Sequence, residues 1–440
     1  MEMKKEKLKN ISLNIGSGMT PLRSNSEYWN SKDIPWVKTE LLGNYKIYDA
    51  NEYISQKAFE DNHLTIYPKN TLSIAMYGEG KTRGNVSIFE RPMTTNQACC
   101  NIVIDTKKAD YRYVYYAIKN SYEDLRALSS GVRKNLNSDQ IKNFEIPFCS
   151  LFTQQKIAAV LSSLDDKIAL NNRINAKLEQ MAKRLYDYWF VQFDFPVSCH
   201  SELVSESHSD EMLNQVQHDE CAKPYKSTGG KMVWNEELKR EIPEGWEVKK
   251  LGEILILLKD GTHNPPKRQE KGIPLLTGTM FGNNFLDYDK ATYISEADYK
   301  IIHSQYEPHE NDVIITKIGT LGNVNLLRNI DIPLAIHCNS ALLRFDMALG
   351  VYYPFSYCKS DLFKMRLKAI KGQSIQEFAS LDRISSIKSE VPCVDIINKF
   401  DKIVKPIIGK QKSISFENKK LKEMRDKLLP LLMNGQVVVK

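Results

Sequence analysis

The stretch that decides the fold is TQQKIAAVLSSLDDKIALNNRINAKLEQMAKRLYDYWF, residues 153 to 190. Its apolar residues recur at alternating steps of four and three, the spacing that forms the seam of a coiled coil. The predicted seam positions are Ile157, Leu161, Leu164, Ile168, Asn171, Asn175, Leu178, Ala182, Leu185 and Trp189. A helix of this length would reach roughly 55 to 60 Å, more than one globular core needs. We therefore expect it to pair with another helix.

A second stretch of the chain repeats this pattern at an offset of 243 residues, as from Ile157 to Phe400. Its predicted seam positions are Phe400, Val404, Ile407, Gln411, Ile414, Asn418, Leu421, Arg425, Leu428 and Leu432. Both seams are apolar at the ends and polar in the middle, and a buried Asn fixes the register of a helix pair. We interpret them as one element used twice. The alternative is two unrelated amphipathic helices, each packed on its own domain.

Two residues of the second helix disturb the pattern. Pro406 and Gly409 lie inside it, and an interior proline removes one helical hydrogen bond. They predict a kink in the helix or a late start.

Length and composition indicate a folded protein of several domains. The 440 residues are 42% hydrophobic and carry a net charge of +7, which favours polyanionic partners but could equally serve solubility. The apolar runs are too short for a bilayer, and Met1 is followed by EMKKEK rather than by a signal-peptide core, so we expect a soluble cytoplasmic protein. The eight cysteines include no CxxC pair and are expected to be reduced.

The order of elements before the first long helix is repeated before the second. Residues 1–150 predict a mixed domain, with strands at 33–38, 71–77 and 85–89 and helical spacing from Tyr111 to Leu128. The second half repeats this order. IPL corresponds to IPW, KIGTLGNV to GEGKTRGNV, and residues 352–369 to the helical region. We predict a tandem duplication of domain and helix, with equivalent folds that read different targets. The predicted segments are domain 1 at 1–150, helix 1 at 151–192, a linker at 193–245, domain 2 at 246–392 and helix 2 at 393–435.

The predicted linker begins with a polar segment rich in Ser, Glu and His that has no counterpart in the other half. The residues in it that could coordinate a metal ion are Cys199, His200, His208, His218 and Cys221, but their spacing matches no zinc-binding motif. We therefore predict no metal site and interpret the segment as an inserted linker.

Two motifs resemble catalytic signatures, and their contexts argue against catalysis. The sequence AMYGEGKT (75–82) satisfies a relaxed phosphate-loop pattern, yet a strand-like VSIF follows where such a loop opens into a helix. This favours a β-hairpin, although a nucleotide-binding enzyme built on Gly80 to Thr82 stays a rival. The sequence HNPPK (263–267) contains the NPP core of amino-methyltransferases but lacks the aromatic that follows it. We found no trustworthy Ser/His/Asp, paired-carboxylate or nuclease pattern and expect no catalytic residues.

The polar loops instead carry side chains suited to DNA. Arg and Lys match guanine and phosphates, and Asn and Gln match adenine; ordinary solvated turns are the alternative. The candidate DNA-contacting residues in these loops are Lys81, Thr82, Arg83, Arg133, Lys134, Asn135, His263, Asn264, Lys267, Arg268, Lys317, Gln373 and Gln376.

This organisation resembles the DNA-specificity subunit of type I restriction-modification systems. The resemblance covers essentially the whole chain, and QQKIAAVLSSLDDKIALNN with KLEQMAKRLYDYWFVQFDFP carries it most specifically. It implies an α+β fold in which two similar mixed α/β target-recognition domains are separated by two long antiparallel coiled-coil helices. Each domain would read one half of a split, asymmetric DNA sequence, and the helices would set the distance between the halves. The segment 198–222 departs from the family pattern.

The resemblance also implies partners rather than chemistry in this chain. Two methyltransferase subunits would dock on it and methylate adenine with S-adenosylmethionine, and restriction subunits would add ATP- and Mg-dependent cleavage. The chain itself would bind none of these cofactors and would bind double-stranded DNA. The main rival in another class is a coiled-coil scaffold that organises proteins and does not bind DNA.

Overall fold

The computed structural model of the protein describes residues 3–78, 82–129, 135–197, 223–262, 266–282, 285–304, 306–328, 333–370 and 378–439. The chain divides into two compact units. Unit 1 contains Met1–Arg173 and Ile414–Lys440, and unit 2 contains Ile174–Ser413. Each unit therefore holds one predicted domain together with a part of each long helix.

Domain 1 of unit 1 is an α+β domain built on two sheets. Its strands are β1 (Lys4–Lys7), β2 (Ser12–Ser17), β3 (Ile34–Val37), β4 (Lys46–Ile47), β5 (Glu52–Ile54), β6 (Leu72–Ala75), β7 (Val86–Phe89), β8 (Thr94–Thr95), β9 (Cys99–Ile104) and β10 (Glu145–Phe148). Its helices are α1 (Gln56–Asp61), α2 (Tyr111–Asn120), α3 (Tyr122–Ala127) and α4 (Ser138–Lys142). The larger sheet has the order β2-β9-β6-β7-β4 and the smaller one β5-β3-β8.

The long helix and domain 2 follow. The long helices are α5 (Leu151–Tyr186), continued by a π-helical turn at Asp187–Val191, and α10 (Val394–Met433). The remaining strands are β11 (Pro196–Val197), β12 (Lys223–Pro224), β13 (Met232–Asn235), β14 (Arg240–Pro243), β15 (Glu247–Lys250), β16 (Leu255–Asp260), β17 (Ile273–Leu276), β18 (Thr292–Ile294), β19 (Val313–Thr316), β20 (Val324–Leu326), β21 (Ala335–Ile336), β22 (Ser340–Phe345) and β23 (Lys388–Val391). The remaining helices are α6 (Glu296–Ile302), α7 (Tyr352–Lys359), α8 (Asp361–Ala369) and α9 (Leu381–Ser385).

The two domains share one strand topology, as the repeated element order predicts, except that β4 adds a fifth strand to the larger sheet of domain 1. Domain 2 has the sheet orders β16-β22-β19-β20 and β18-β17-β21. In both domains the middle strand of the small sheet pairs antiparallel with one neighbour and parallel with the other. The first and last strands of each domain also pair with each other, β1 with β10 and β15 with β23. The expectation of equivalent folds is confirmed.

The central strands are mainly apolar and fully buried because both of their faces are covered. In β6, Leu72 and Ile74 pack into a cluster with α2 and α5, whereas Ala75 packs into a second cluster with Phe89. A strand that is buried on both sides reads as a continuous apolar run rather than as an alternating one. This accounts for LSIA in β6 and VIIT in β19, in which all residues are buried.

The positions predicted for the seams of the two long helices are shielded from solvent. All twelve positions singled out for the seam are buried or partly buried: Leu161, Leu164, Ile168, Asn175, Leu178, Leu185, Val404, Ile407, Ile414, Asn418, Leu421 and Leu428. Within unit 1 the helices run antiparallel, because Asp165 contacts Arg425 and Asn171 contacts Asn418. Within unit 2 they also run antiparallel, because Gln411 donates to the carbonyl of Asn175 whereas Phe400 packs against Tyr186.

Two expectations for the second half are corrected. Helix α10 begins at Val394 and runs through Pro406 and Gly409, so the predicted late start is wrong. Pro406 and Gly409 lie on the exposed face, and loss of one hydrogen bond there does not end a helix whose other face is packed. The described residues of the predicted linker include the β13–β14 hairpin and the buried Phe193 and Phe195, so 193–197 and 223–245 are folded parts of unit 2.

His303 gives the stability of unit 2 a pH dependence. The side chain is 6% exposed, its Nε2 accepts the Ile336 N–H at 3.3 Å, and its Nδ1 lies 3.1 Å from the Tyr306 carbonyl oxygen. Both contacts are satisfied only by the neutral ring with its proton on Nδ1. Burial lowers the pKa of His303 below its ordinary value of 6.5.

We expect the free energy of unfolding of unit 2 to fall as the pH drops below 6.5, because the unfolded chain then binds a proton that folded His303 resists. Urea unfolding at a series of pH values measures this. The variant His303→Gln should flatten the pH dependence, whereas the exposed His309→Gln should leave it unchanged. An equal slope in the parent chain and His303→Gln would contradict the assignment.

Candidate nucleic-acid interface

The loops predicted to contact DNA in domain 1 converge on one edge of the large sheet. The Leu136 N–H donates to the Met76 carbonyl at 3.0 Å, which joins the segment before α4 to the β6–β7 hairpin. The Met76 N–H donates to the Ala98 carbonyl at 2.8 Å, and Thr20 donates to Gln97 at 2.6 Å. At this edge, which we call the gathered loop edge, lie the loop after β2, the loop before β9, the β6–β7 hairpin and the residues that precede α4.

Domain 2 builds the same edge from equivalent loops. The Ala379 N–H donates to the Lys317 carbonyl at 3.0 Å, and the Lys317 N–H donates to the Asn339 carbonyl at 2.8 Å. Thr262 pairs with the segment before β22, since its carbonyl accepts the Cys338 N–H at 3.2 Å. Thr262, the β19–β20 hairpin and the segment before α9 are thus brought together, although they are far apart in the sequence.

The repeated GNV of the two hairpins has a conformational cause. Gly84 has φ +87° and Gly322 has φ +84°, values in the left-handed region that side chains other than glycine rarely adopt. Each glycine closes a turn between antiparallel strands, β6 with β7 and β19 with β20. The segment after AMYGEGKT is therefore a strand, as predicted, and not the helix that a phosphate loop requires.

The structure describes three of the candidate residues of domain 1. Thr82, Arg83 and Asn135 are partly buried at the gathered edge. The Nε atom of Arg83 is buried and has no hydrogen-bond partner within the described part of the chain. An arginine donor without an acceptor is energetically costly, which makes this guanidinium a strong candidate to receive an acceptor from a ligand.

In domain 2, Lys267 and Arg268 are exposed, as a phosphate contact requires. Lys317 is different: it is 5% exposed, and its Nζ donates to Asp260 Oδ2 at 2.8 Å. The expectation that Lys317 presents its charge on the hairpin is therefore corrected. Its backbone bonds to Asn339 and Ala379 hold it inside the sheet edge, where the charge is balanced by Asp260.

Other predicted residues lie outside the described ranges. They are Lys81, Arg133, Lys134, His263, Asn264, Gln373 and Gln376. The metal-ligand types considered in the linker, from Cys199 to Cys221, also lie outside them. The DNA contacts suggested for these side chains stay predictions.

Sequence reasoning missed a cation cluster on the loop after β2. The Arg23 guanidinium carbon lies 3.7 Å from the ring centre of Trp29 and 4.7 Å from that of Trp36. Arg23 and Lys38 both bind Glu52, each at 2.5 Å. Burial opposes ionisation of Glu52, but hydrogen bonds from the two cations prevail and lower its pKa. The signal in the sequence is an arginine followed by two tryptophans, a combination typical of cation–π stacking.

Relatives with assigned roles share this architecture. The chain is 30% identical to the MjaIX type I restriction enzyme specificity subunit of Methanocaldococcus jannaschii, an alignment that covers 99% of this chain and 93% of the relative. The chain belongs to the type I restriction-modification DNA specificity subunits. A family model described as a type I restriction modification DNA specificity domain matches residues 2–180 of this specificity subunit.

Further comparisons agree with this assignment. The HindI specificity subunit of Haemophilus influenzae is 27% identical over 70% of this chain and 72% of its own length. The crystal structure of a type I restriction-modification S subunit from M. genitalium matches with a TM-score of 0.55 at 20% identity, covering 98% of this chain and 96% of that one. The last similarity establishes a shared fold. Membership of the family makes this protein a DNA-specificity subunit with target-recognition domains.

Proposed function

We propose that each domain reads one half of a split, asymmetric DNA target through its gathered loop edge. The observation that carries this proposal is that the same edge is built twice from different side chains. Domain 1 places Arg83, Thr20 and Gln97 there. Domain 2 places Lys267 and Arg268 in the loop after β16, which corresponds to the loop after β2 that carries Thr20. Two domains with the same backbone fold but different side chains at this edge are suited to two different half-sequences. Each base pair is recognised by its own pattern of hydrogen-bond donors and acceptors.

We further propose that this chain is an adaptor without a catalytic centre. Methyltransferase subunits would dock on it and supply S-adenosylmethionine chemistry, and restriction subunits, where present, would supply ATP- and Mg-dependent cleavage. Support comes from membership of this family. The described part of the chain contains no cluster of three or more His, Cys, Asp or Glu able to hold a metal. Nor does any described helix combine the length and the apolarity needed to cross a membrane.

The direct test is a binding selection from a random duplex library, carried out with the chain and a methyltransferase partner. We expect two enriched half-sequences separated by a constant non-specific spacer, and an affinity that falls with rising salt. Enrichment of a single continuous sequence would overturn the split-target proposal. Absent or salt-insensitive binding would favour a protein scaffold that does not contact DNA.

Arg83 provides a test of the edge of domain 1. The change Arg83→Ala should weaken DNA binding about tenfold or more, because one well-placed arginine contact contributes about 1 to 3 kcal/mol. Fluorescence anisotropy across a salt series would measure the loss.

Lys69 supplies a matched control, because it precedes the opposite end of β6 and pairs with Glu90 at 3.0 Å. Lys69→Ala removes the same charge and should leave affinity unchanged. Equal losses in the two variants would mean that only net charge matters.

A further inference from the structure

The repeat gives the two long helices similar seams, but one pair of equivalent positions differs sharply. At the 243-residue offset, Asp165 of α5 corresponds to Ile408 of α10, and Arg425 of α10 corresponds to Ala182 of α5. Each helix therefore carries one charged residue where the other carries a small or apolar one. The charges have opposite sign.

In unit 1 these two charges meet. Asp165 is 3% exposed and accepts a hydrogen bond from Arg425 Nη1 at 2.6 Å. Its second oxygen accepts the Tyr116 hydroxyl at 2.7 Å. Arg425 also contacts Asp426 of its own helix at 2.7 Å. The carboxylate therefore depends on α10 for its only cation within 4 Å among the described residues.

In unit 2 the two corresponding positions are apolar and border a cavity. Ile408 and Ala182 line a cavity of about 100 Å³ together with Ser356 and Glu179. Ser356 corresponds to Tyr116, because the tyrosines three residues earlier, Tyr353 and Tyr113, make matching bonds to the last strands of their domains. Small side chains thus stand where unit 1 has a tyrosine and an ion pair.

We propose that the Asp165–Arg425 pair determines which helix α5 accepts as its partner: α10 rather than α5 of a second copy. Tandem repeats with similar faces are prone to exchange elements between copies. A sequence that folds to one pairing must therefore disfavour the other.

The middle of the seam does not make this choice. In the register observed in unit 1, Asn171 donates to Asn418 Oδ1 at 2.9 Å. A second copy of α5 would place Asn175 at the position of Asn418, so an amide would still face Asn171. The asparagine layer can therefore align either pairing, and it fixes register rather than partner.

The ion pair does make this choice. Pairing of α5 with a second copy would set Ala182 opposite Asp165 and leave the buried carboxylate without arginine, once on each helix. Breaking a buried pair in this way is strongly unfavourable. Pairing of α10 with its own copy would set Arg425 against Ile408. Only α5 with α10 matches both charges.

A second buried cation does not contribute to the choice. Lys359 binds Glu179 at 2.6 Å in unit 2, but Lys119 occupies the equivalent place in domain 1. Each lysine lies near the ring four residues earlier, Phe355 and Tyr115 respectively. Self-pairing of α5 would thus still bring a lysine towards Glu179, and the discrimination rests on Asp165 and Arg425.

The test uses the full chain with a protease site placed between residues 197 and 223. Two versions with different N-terminal tags are cleaved, unfolded together in urea and refolded. Capture on one tag followed by detection of the other measures pairing of two first halves. For the parent sequence we expect only trace capture.

The variant Asp165→Ile with Arg425→Ala gives each helix the residue of the other, so that both pairings become equivalent. We expect capture to rise about tenfold or more, since loss of a buried charge pair alters pairing equilibria by at least that factor. Capture equal to that of the parent would overturn the proposal. Far-UV circular dichroism establishes whether the variant folds.

A gain-of-function variant keeps the proposal falsifiable if the double variant does not fold. Ala182→Arg supplies α5 with its own partner for Asp165, and the cavity beside Ala182 and Glu179 gives the new side chain room in the normal pairing. We expect increased self-capture of the first half from Ala182→Arg, and parent-level capture from Ala182→Met. Equal capture from both variants would show that charge does not select the partner.

Discussion

Arg425→Met is expected to lower the free energy of unfolding of unit 1 by about 3 to 5 kcal/mol, because it leaves a buried carboxylate without its cation. Asp165 is 3% exposed and, among the described residues, then keeps the hydrogen bond from the Tyr116 hydroxyl. The methionine keeps most of the apolar stem of the arginine, so lost packing contributes little. Urea unfolding followed by far-UV circular dichroism, with hydrogen exchange to locate the affected unit, measures the loss.

The double variant Asp165→Leu with Arg425→Met is the control. Replacing both members of a buried ion pair by apolar side chains is often neutral, so most of the lost stability should return. Some loss will persist, because the Tyr116 hydroxyl then has no carboxylate acceptor. If the double variant were less stable than Arg425→Met alone, the stability would come from packing rather than from charge pairing.

Deletion of residues 167–173 together with 413–419 is expected to abolish recognition of the original DNA target, with a loss of about a thousandfold towards non-specific affinity. The deletion removes Ile168 and Asn171 from one seam and Ile414 and Asn418 from the other, so the alternating steps of four and three continue across both junctions. Each helix shortens by about 10 Å, which corresponds to roughly three base pairs.

The loss should exceed a simple change of spacing because DNA is helical. Three base pairs turn the duplex by roughly 100° at about 10.5 base pairs per turn, whereas a heptad returns the same helix face to the seam. A selection from random duplexes should recover a shorter preferred spacer or no bipartite target. An unchanged spacer would contradict the idea that the helices set the distance. Removal of seven residues from 198–222, outside both helices, should leave the spacer unchanged.

The sequence predicted secondary-structure elements well where hydrophobic periodicity or a local turn signal alone determines them. The seam positions follow from a repeat that has only one solution on a helix, and the hairpin at 75–89 follows from a strand-like VSIF after a glycine turn. The late start expected from Pro406 is wrong, because the cost of a proline depends on which face of the helix it occupies. The packing of Phe193 and Phe195 was missed because their partners, Trp246 among them, lie across the linker.

The candidate DNA-binding site was harder to predict, because it is formed by loops that are distant in the sequence and adjacent only in the folded protein. Lys317 looked like a free cation in a turn, and the fold places it on Asp260, 57 residues away. Arg23 was not among the candidate residues predicted from the sequence, and in the folded protein it stacks on two tryptophans beside Glu52. Local sequence shows the charge of such a side chain but not its partner.

The sequence by itself determined that this protein consists of two copies of one domain-and-helix unit, because hydrophobic period and repeat offset are properties of the chain alone. Only the tertiary structure decided which charges of those copies meet. Asp165 and Arg425 are 260 residues apart and lie on helices whose apolar patterns are nearly alike. Their attraction depends on distance and burial, quantities that exist only after the helices have packed.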